Sequence, residues 1–321
     1  MDVEDYRRQY EAELEQAARE EVSFRDLLGS SRSGQRETVT AAAEDDDDLT
    51  AAVTVIRDSG ADARLRSAAL QLISIDIDKN PELIESLLEL LRDGTMPAEV
   101  RVAVLNVLQQ ISFRAVLFPA IRPEYLATLR SIIEDPDAQL RRRAIGILAR
   151  EKDEYIQRRL VEGLEPRSAP LVPAAKAIQF LGYDVHAEYF PMLRRIIEHP
   201  PSPAAKKEAV RLLAADPDAA DLLLSILQDR SENPEVRKLS AIALQAVTPD
   251  RFAVQARRIV LDDEEDEQLR ALSISALTYF ASPATVAEDG ELTGRIEQLR
   301  TESASRQMKQ ATAGYLSRHS G

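Results

Sequence analysis

The sequence predicts an all-α chain of paired helices arranged in tandem, on three observations: a recurring apolar motif, the period of its return, and the composition. Eight times an apolar residue is followed by a basic one in most copies, small residues three to five places on, and a large apolar residue at the eighth. The copies open at Leu65, Val100, Leu140, Val172, Ala205, Val236, Leu269 and Met308, with gaps of 35, 40, 32, 33, 31, 33 and 39 residues. A period of that length belongs to helical hairpins that bury their apolar faces on their neighbours and share no central core. Hydrophobic residues make up 44% of the 321, while aromatics reach only 5% and glycines number 11. That balance suits helices packed through Leu, Ile, Val and Ala.

Taken in order, residues 1–28 read as an N-terminal helix, with Val3, Tyr6, Tyr10, Leu14, Ala17 and Val22 spaced by threes, fours and one five. Such a stripe either docks on the open end of the first repeat, as ends of stacked arrays require, or pairs with a second copy. Residues 29–48 read as a linker. A polar stretch from Gly29 to Thr40 leads to Glu44 and the acidic run Asp45–Asp48, which lacks the glycine and distal glutamate of a calcium loop. The run also has the charge to compete with an acidic ligand for basic surface elsewhere in the chain. Residues 49–321 form the repeat array.

Within the array, each motif lies on a second helix preceded by a first one. Pro81 to Arg92, Pro123 to Glu134 and Pro217 to Gln228 are apolar-periodic first helices. The second helix at Val236 shows the logic of its partner: Asn233 caps, Pro234 suits the first helical position, and Val236, Leu239, Ile242, Ala243 and Leu244 return on one face. Three places before the anchors stand Asp62, Asp137, Ser202, Asn233, Asp266 and Ser305, all capping residues, with Pro97 and Ala169 as exceptions. At the eighth position Ile73, Leu108, Leu148, Phe180, Leu213, Leu244, Leu277 and Leu316 follow small residues such as Ala69, Ala144 and Ala209, and large side chains would sit in the gaps that the small ones leave. Glu124, Tyr125, Leu129, Arg130, Ile132, Ile133 and Glu134 return as Glu188, Tyr189, Leu193, Arg194, Ile196, Ile197 and Glu198, two repeats later, which points to internal duplication. In the fourth copy Pro166, Pro170 and Pro173 crowd the anchor, so the helix starts two or three residues late or the array bends there; Pro191 starts or kinks the next first helix.

The segments NPEVRKLSAIALQAV (233–247) and PAEVRVAVLNVLQQI (97–111) resemble HEAT repeats, in particular the bacterial HEAT-like type first associated with phycobilisome lyases. The resemblance covers residues 49–318. It implies a right-handed α-solenoid of about eight stacked hairpins with an armadillo-type fold, the second helices lining the concave face. It also implies a role for the residue after each anchor, Arg66, Arg101, Arg141, Lys206, Arg237, Arg270 or Lys309, as one rung of a ladder of ion pairs between repeats. Only the fourth copy, with Pro173, has no cation there.

Function is expected to be binding. The absence of cysteine excludes disulfides, thiolate catalysis and cysteine-ligated zinc. Three scattered histidines, His186, His199 and His319, show no ligand spacing, and no phosphate loop or acid–base pair stands on a helix face. No catalytic residue, cofactor or metal is therefore expected, and the histidines read as surface residues. Met1 is followed by Asp2, Glu4 and Asp5, and no segment approaches the roughly 18 apolar residues of a membrane span, so a cytoplasmic location and no membrane partner are expected. The net charge is −14, yet the eight second helices sum to +10 and the remainder to −24. With the seven rung cations set aside, the second helices keep +3, and Arg142, Arg143, Lys207, Arg211 and Lys238 are the candidates to face a partner. The expectation is a non-enzymatic scaffold that binds a protein or peptide with an acidic face along its second helices. Resemblance to HEAT-like alkylpurine DNA glycosylases or bilin lyases supplies the alternatives, a nucleic-acid binder or a lyase. Overall acidity, the lack of tryptophan and the lack of a nucleophile weigh against them.

Overall fold

The computed structural model describes residues 41–58, 60–61, 63–76, 82–113, 117–280 and 289–319. The expected helix over 2–28, the cap at Asp62 and the prolyl start at Pro81 lie outside them. Sixteen α-helices and three single 3-10 turns make up the described residues, with no strand among them. The chain divides into two compact units, Met1–Leu148 and Ala149–Gly321.

The first unit holds α1 (Ala41–Arg57), α2 (Ala63–Asp76), α3 (Glu82–Arg92), α4 (Ala98–Ile111), α5 (Phe118–Ser131) and α6 (Ala138–Arg150), which passes the division at Leu148. Within it α1 packs on α2 and α3 on α4, while α2 meets α4 and α3 meets both α1 and α5. Two boundaries differ from those expected. Helix α1 takes in Ala41–Asp48, the last eight residues of the expected linker; three alanines open it, and acids close behind them favour a helix N-terminus. Helix α5 starts at Phe118, five residues before Pro123, which lies inside it. Pro119 occupies the start, where a missing N–H costs nothing, and Phe118 meets the buried Tyr125 edge-to-face at 6.0 Å.

The second unit holds α7 (Glu154–Glu162), α8 (Ala174–Leu181), α9 (Phe190–Glu198), α10 (Pro203–Leu212), α11 (Ala220–Gln228), α12 (Pro234–Val247), α13 (Pro249–Leu261), α14 (Glu267–Phe280), α15 (Gly290–Glu302) and α16 (Arg306–His319). Each odd-numbered helix packs on the even one that follows it, and the even helices pack in succession, α8 on α10, α10 on α12, α12 on α14 and α14 on α16. Six anchors from Val100 to Leu269 and Met308 are buried, Leu65 is half-buried, and all eight residues at the eighth position are buried together with Ala69, Ala144 and Ala209. Large apolar side chains thus fill the space over small ones, as the motif requires.

The caps also appear as expected. Asp137 accepts from the Leu140 N–H at 2.7 Å, Ser202 from Ala205 at 3.1 Å, Asn233 from Glu235 at 2.9 Å and Asp266 from Leu269 at 2.9 Å. In the fourth copy the proline cluster delays the helix: α8 begins at Ala174, two residues after its anchor, where the other second helices begin two before theirs. Pro173 has no N–H and sits just outside the helix, with φ −53° and ψ 144°, while Val172 still reaches the core. Pro191 falls in the first turn of α9, where it starts the helix without kinking it. The first turn expected at Pro217 is a 3-10 turn, Pro217–Ala219, capped by Asp216 and followed by α11.

Candidate interaction surface

The rung position comes into place through the start of the second helix. That helix begins two residues before its anchor, so the next residue lies in the first turn and beside the end of the preceding first helix. Arg101 Nε donates to the Leu91 carbonyl at 2.9 Å, and Arg237 Nε to the Leu227 carbonyl at the same distance, each satisfying a helix-end oxygen ten residues back. The far side of each guanidinium then meets an acid in the turn of the next repeat. Arg101 Nη1 is 2.6 Å from Asp135, and Arg237 takes both oxygens of Glu265 at 2.7 Å. Lys206 pairs in the same way with Glu232. Arg66 and Arg141 turn instead to the carbonyls of Asp58 and Asp135. These cations are structural: they join a hairpin to its own turn and, at three of the positions, to the following one.

The five cations expected to face a partner fall in separate units. In the first, Arg142 is exposed on α6, and Arg143 beside it donates to the Asn106 side chain of α4. In the second, Lys207 and Arg211 lie on α10 and Lys238 on α12. Arg211 pairs with Glu208 at 2.6 Å, and Lys238 with Glu235 at 3.0 Å while also donating to Gln268 on α14 at 2.6 Å. Glu235 is held below the usual carboxylate range, first by Lys238 and then by Lys207 and Arg211, so the three cations share one field. Acids on the same helices thus temper a cluster that the charge count makes wholly basic. Ile242, one turn beyond Lys238, is half exposed and adds an apolar element to this surface.

A second ladder runs along the first helices, which the charge count treats only as an acidic remainder. Arg57 of α1 reaches Glu89 of α3 at 2.9 Å, and Arg92 of α3 reaches Glu124 of α5 at 2.9 Å. In the second unit Arg195 meets Glu165 at 2.8 Å, Arg251 meets Asp221 at 2.7 Å, and Arg257 clasps both Asp289 and Glu291, the latter at 2.7 Å. Arg230 spans Asp262 and Glu264, both in the acidic turn before α14. Asp289 is held below its ordinary pKa by Arg257, and Arg257 is correspondingly raised. The signal in the sequence is an arginine and an acid about 32 positions apart, the same spacing as the apolar motif.

Elsewhere, Asp184 accepts from Gln157 at 3.1 Å and lies 3.2 Å from Lys152 and 3.1 Å from His186, which packs edge-to-face on Tyr189. A cavity of about 530 Å³ beside them is lined by Gln157, Arg158, Glu162, His186, Glu188 and Tyr189. Of its lining residues, Gln157 is engaged by Asp184 and Glu162 lies 3.6 Å from Arg159. His199 is exposed and His319 is tilted against Tyr315. Among the described residues no three His, Asp or Glu side chains gather as a metal ion would need, and no helix is long and apolar enough to cross a membrane.

The fold and this surface define an all-α protein of helices packed in tandem, compatible with a helical repeat protein. Comparison with known protein families and with curated proteins finds no match for the chain.

Proposed function

We propose that the chain is a HEAT-like α-solenoid of about eight hairpins acting as a non-enzymatic scaffold, which binds a protein or peptide with an acidic face along its second helices. The observation that carries this reading is the division of labour among the second-helix cations. Those at the rung position, such as Arg101, Lys206 and Arg237, close on acids of neighbouring hairpins, whereas Arg142 and Arg211 are exposed, Lys207 is half-buried, and Arg143 and Lys238 reach across repeats only to the neutral amides of Asn106 and Gln268. The contacts themselves support the repeat architecture, because side-chain bonds between remote residues span about one period: 34 residues from Arg101 to Asp135, 28 from Arg237 to Glu265, 32 from Arg257 to Asp289. Within each unit, helices that pack on their neighbours in succession leave side chains of every hairpin at the surface, and surface of that kind serves association. With a net charge of −14 the chain repels acidic partners at long range, so recognition depends on short-range fit to the surface cations of each unit.

The test is affinity capture from native extract at about 0.15 M salt. The unmodified chain is compared with one carrying Arg142→Glu, Arg143→Glu, Lys207→Glu and Lys238→Glu. A protein retained by the first, lost by the second and released as salt rises is the expected result. Identical capture by both chains, or retention of duplex DNA in place of protein, would overturn the reading.

A further inference from the structure

The cavity between α7 and the turn ahead of α9 gathers polar groups that the fold itself does not use. Along α7, Glu154, Arg158 and Glu162 recur at a spacing of one helical turn, and all three line it. His186, Glu188 and Tyr189 line it from the other side, the last two on the 3-10 turn Ala187–Tyr189. Tyr189 is only 4% exposed, yet its hydroxyl makes no hydrogen bond among the described residues. Nor is that hydroxyl sealed off, as the Tyr125 hydroxyl is. A phenol buried to this extent ordinarily has a polar partner, so an open one in a cavity of about 530 Å³ points to a ligand. Glu154, Glu188 and Arg158 are exposed and form no ion pair among the described residues.

The lining is acidic, with three glutamates against one arginine, and His186 is set against Asp184 at 3.1 Å. Burial, followed by the charges of Glu188 and Asp184, pushes the Tyr189 phenol up to about 12, so the hydroxyl stays protonated and sits in a negative field. What such a place holds is shown by the duplicated segment two repeats earlier, where Glu124 and Tyr125 are the counterparts of Glu188 and Tyr189. There the Arg92 guanidinium is held by a carboxylate and a hydroxyl together, Glu124 and Thr128, each at 2.9 Å. At Glu188 a carboxylate and a hydroxyl again stand side by side, and no cation of the described chain fills them. We propose that this cavity is a binding site for a guanidinium group, from an arginine side chain of a partner polypeptide or from a free guanidino compound. Glu188 accepts its charge-assisted bonds and the Tyr189 hydroxyl accepts one more. Glu154 and Glu162, one turn either side of Arg158, offset the like charge of that residue. The site lies on first helices and draws on none of the cations of the scaffold reading.

The probes are the acetylated, amidated peptide Gly-Gly-Arg-Gly-Gly, its citrulline counterpart, which keeps the shape and loses the charge, and methylguanidinium chloride. Each is titrated into the full chain by isothermal calorimetry at about 0.15 M salt. The arginine peptide should bind at least about tenfold more tightly than the citrulline one, and Glu188→Gln should erase that preference. Tyr189→Phe, which removes only the hydroxyl, should weaken the arginine peptide about two- to tenfold. Arg158→Gln should leave binding as tight or make it tighter. Glu188 and Arg158 are exposed, so these variants keep the fold. Methylguanidinium binding as tightly as the peptide supports the site with a free guanidino compound as its ligand, and a tighter peptide supports it with an arginine side chain. Equal affinity for the arginine and citrulline peptides, an unchanged preference in Glu188→Gln and Tyr189→Phe, or loss of binding in Arg158→Gln, the sign of an anion site, overturns the proposal.

Discussion

Replacing Glu265 by glutamine isolates what one rung contributes. The Arg237 and Glu265 side chains are only 7% and 6% exposed, joined by two bonds of 2.7 Å, and Arg237 Nε also holds the Leu227 carbonyl. Glutamine keeps the shape but removes the charge, so a buried guanidinium is left without its counter-ion. Two charge-assisted bonds at about 1.5–3 kcal/mol each set the scale of the loss. Breaking one side of a buried pair costs about 3–5 kcal/mol, and glutamine, which can still accept one bond, should fall near about 3. Replacing both partners by apolar residues, Arg237→Met with Glu265→Leu, should come within about 1 kcal/mol of the original, because the desolvation of two charges disappears with their attraction. Urea denaturation followed by circular dichroism measures these chains together with the single variants Arg237→Met and Glu265→Leu. Acid titration adds a second reading. Burial raises the Glu265 carboxyl, but the hydrogen bonds of Arg237 outweigh it and hold the group below its ordinary value. A carboxyl depressed in the folded state contributes stability above its unfolded pKa of about 4.3 and loses it as pH falls through the folded value, so Glu265→Gln should flatten the acid limb. A cost below about 1 kcal/mol for Glu265→Gln, or a double variant as damaged as the two single losses combined, would refute the rung as a unit.

Two further outcomes follow from the core and its edge. Leu244 is fully buried at the eighth position of its motif, and Leu244→Ala should cost about 2–5 kcal/mol in chemical denaturation; a cost near zero would mean that the packing of large over small residues does not hold there. Burial, with the charges of Glu188 and Asp184, pushes the Tyr189 phenol up to about 12 from 10.0, so the folded state favours the neutral form. Its contribution is complete below the unfolded pKa and lost as pH rises from about 10 to 12, and Tyr189→Phe should remove that part of the alkaline slope in a pH series of thermal melts.

How far the structure was legible depended on whether a residue's role was local or periodic. The anchors, the eighth positions and the caps at Asp137, Ser202, Asn233 and Asp266 could be read because each follows from the spacing of its own helix. The start of α5 could not, because Pro123 looks like a helix start, whereas the edge-to-face contact of Phe118 with Tyr125 and the tolerance for Pro119 at the first turn extend the helix upstream. The late start of α8 was legible as a delay but not in its extent, since Pro173 had to be placed outside the helix. At the interaction surface three of the seven expected rung cations, Arg101, Lys206 and Arg237, form the expected ion pairs between hairpins, whereas Arg66 and Arg141 bond to backbone carbonyls. The acids that temper Arg211 and Lys238 are sequence neighbours, Glu208 and Glu235, yet a sum over the helix hides such pairs. The first-helix ladder was missed because Arg57 and Glu89, or Arg257 and Asp289, are related only at the repeat spacing, and charges were counted by segment.

The two ladders together explain why a strongly acidic chain can hold a basic strip. Acids of the first helices and turns are spent on arginines one repeat away, as with Glu89, Glu124, Asp221 and Asp289, and most of those pairs are half exposed, where each is worth no more than about 1 kcal/mol. Their number matters more for register than for stability, since a hairpin displaced by one turn would set like charges against each other. The ion-paired rungs of the second helices, Arg101, Lys206 and Arg237, are fewer and better buried, and each is closed by an acid in the turn of the hairpin that follows.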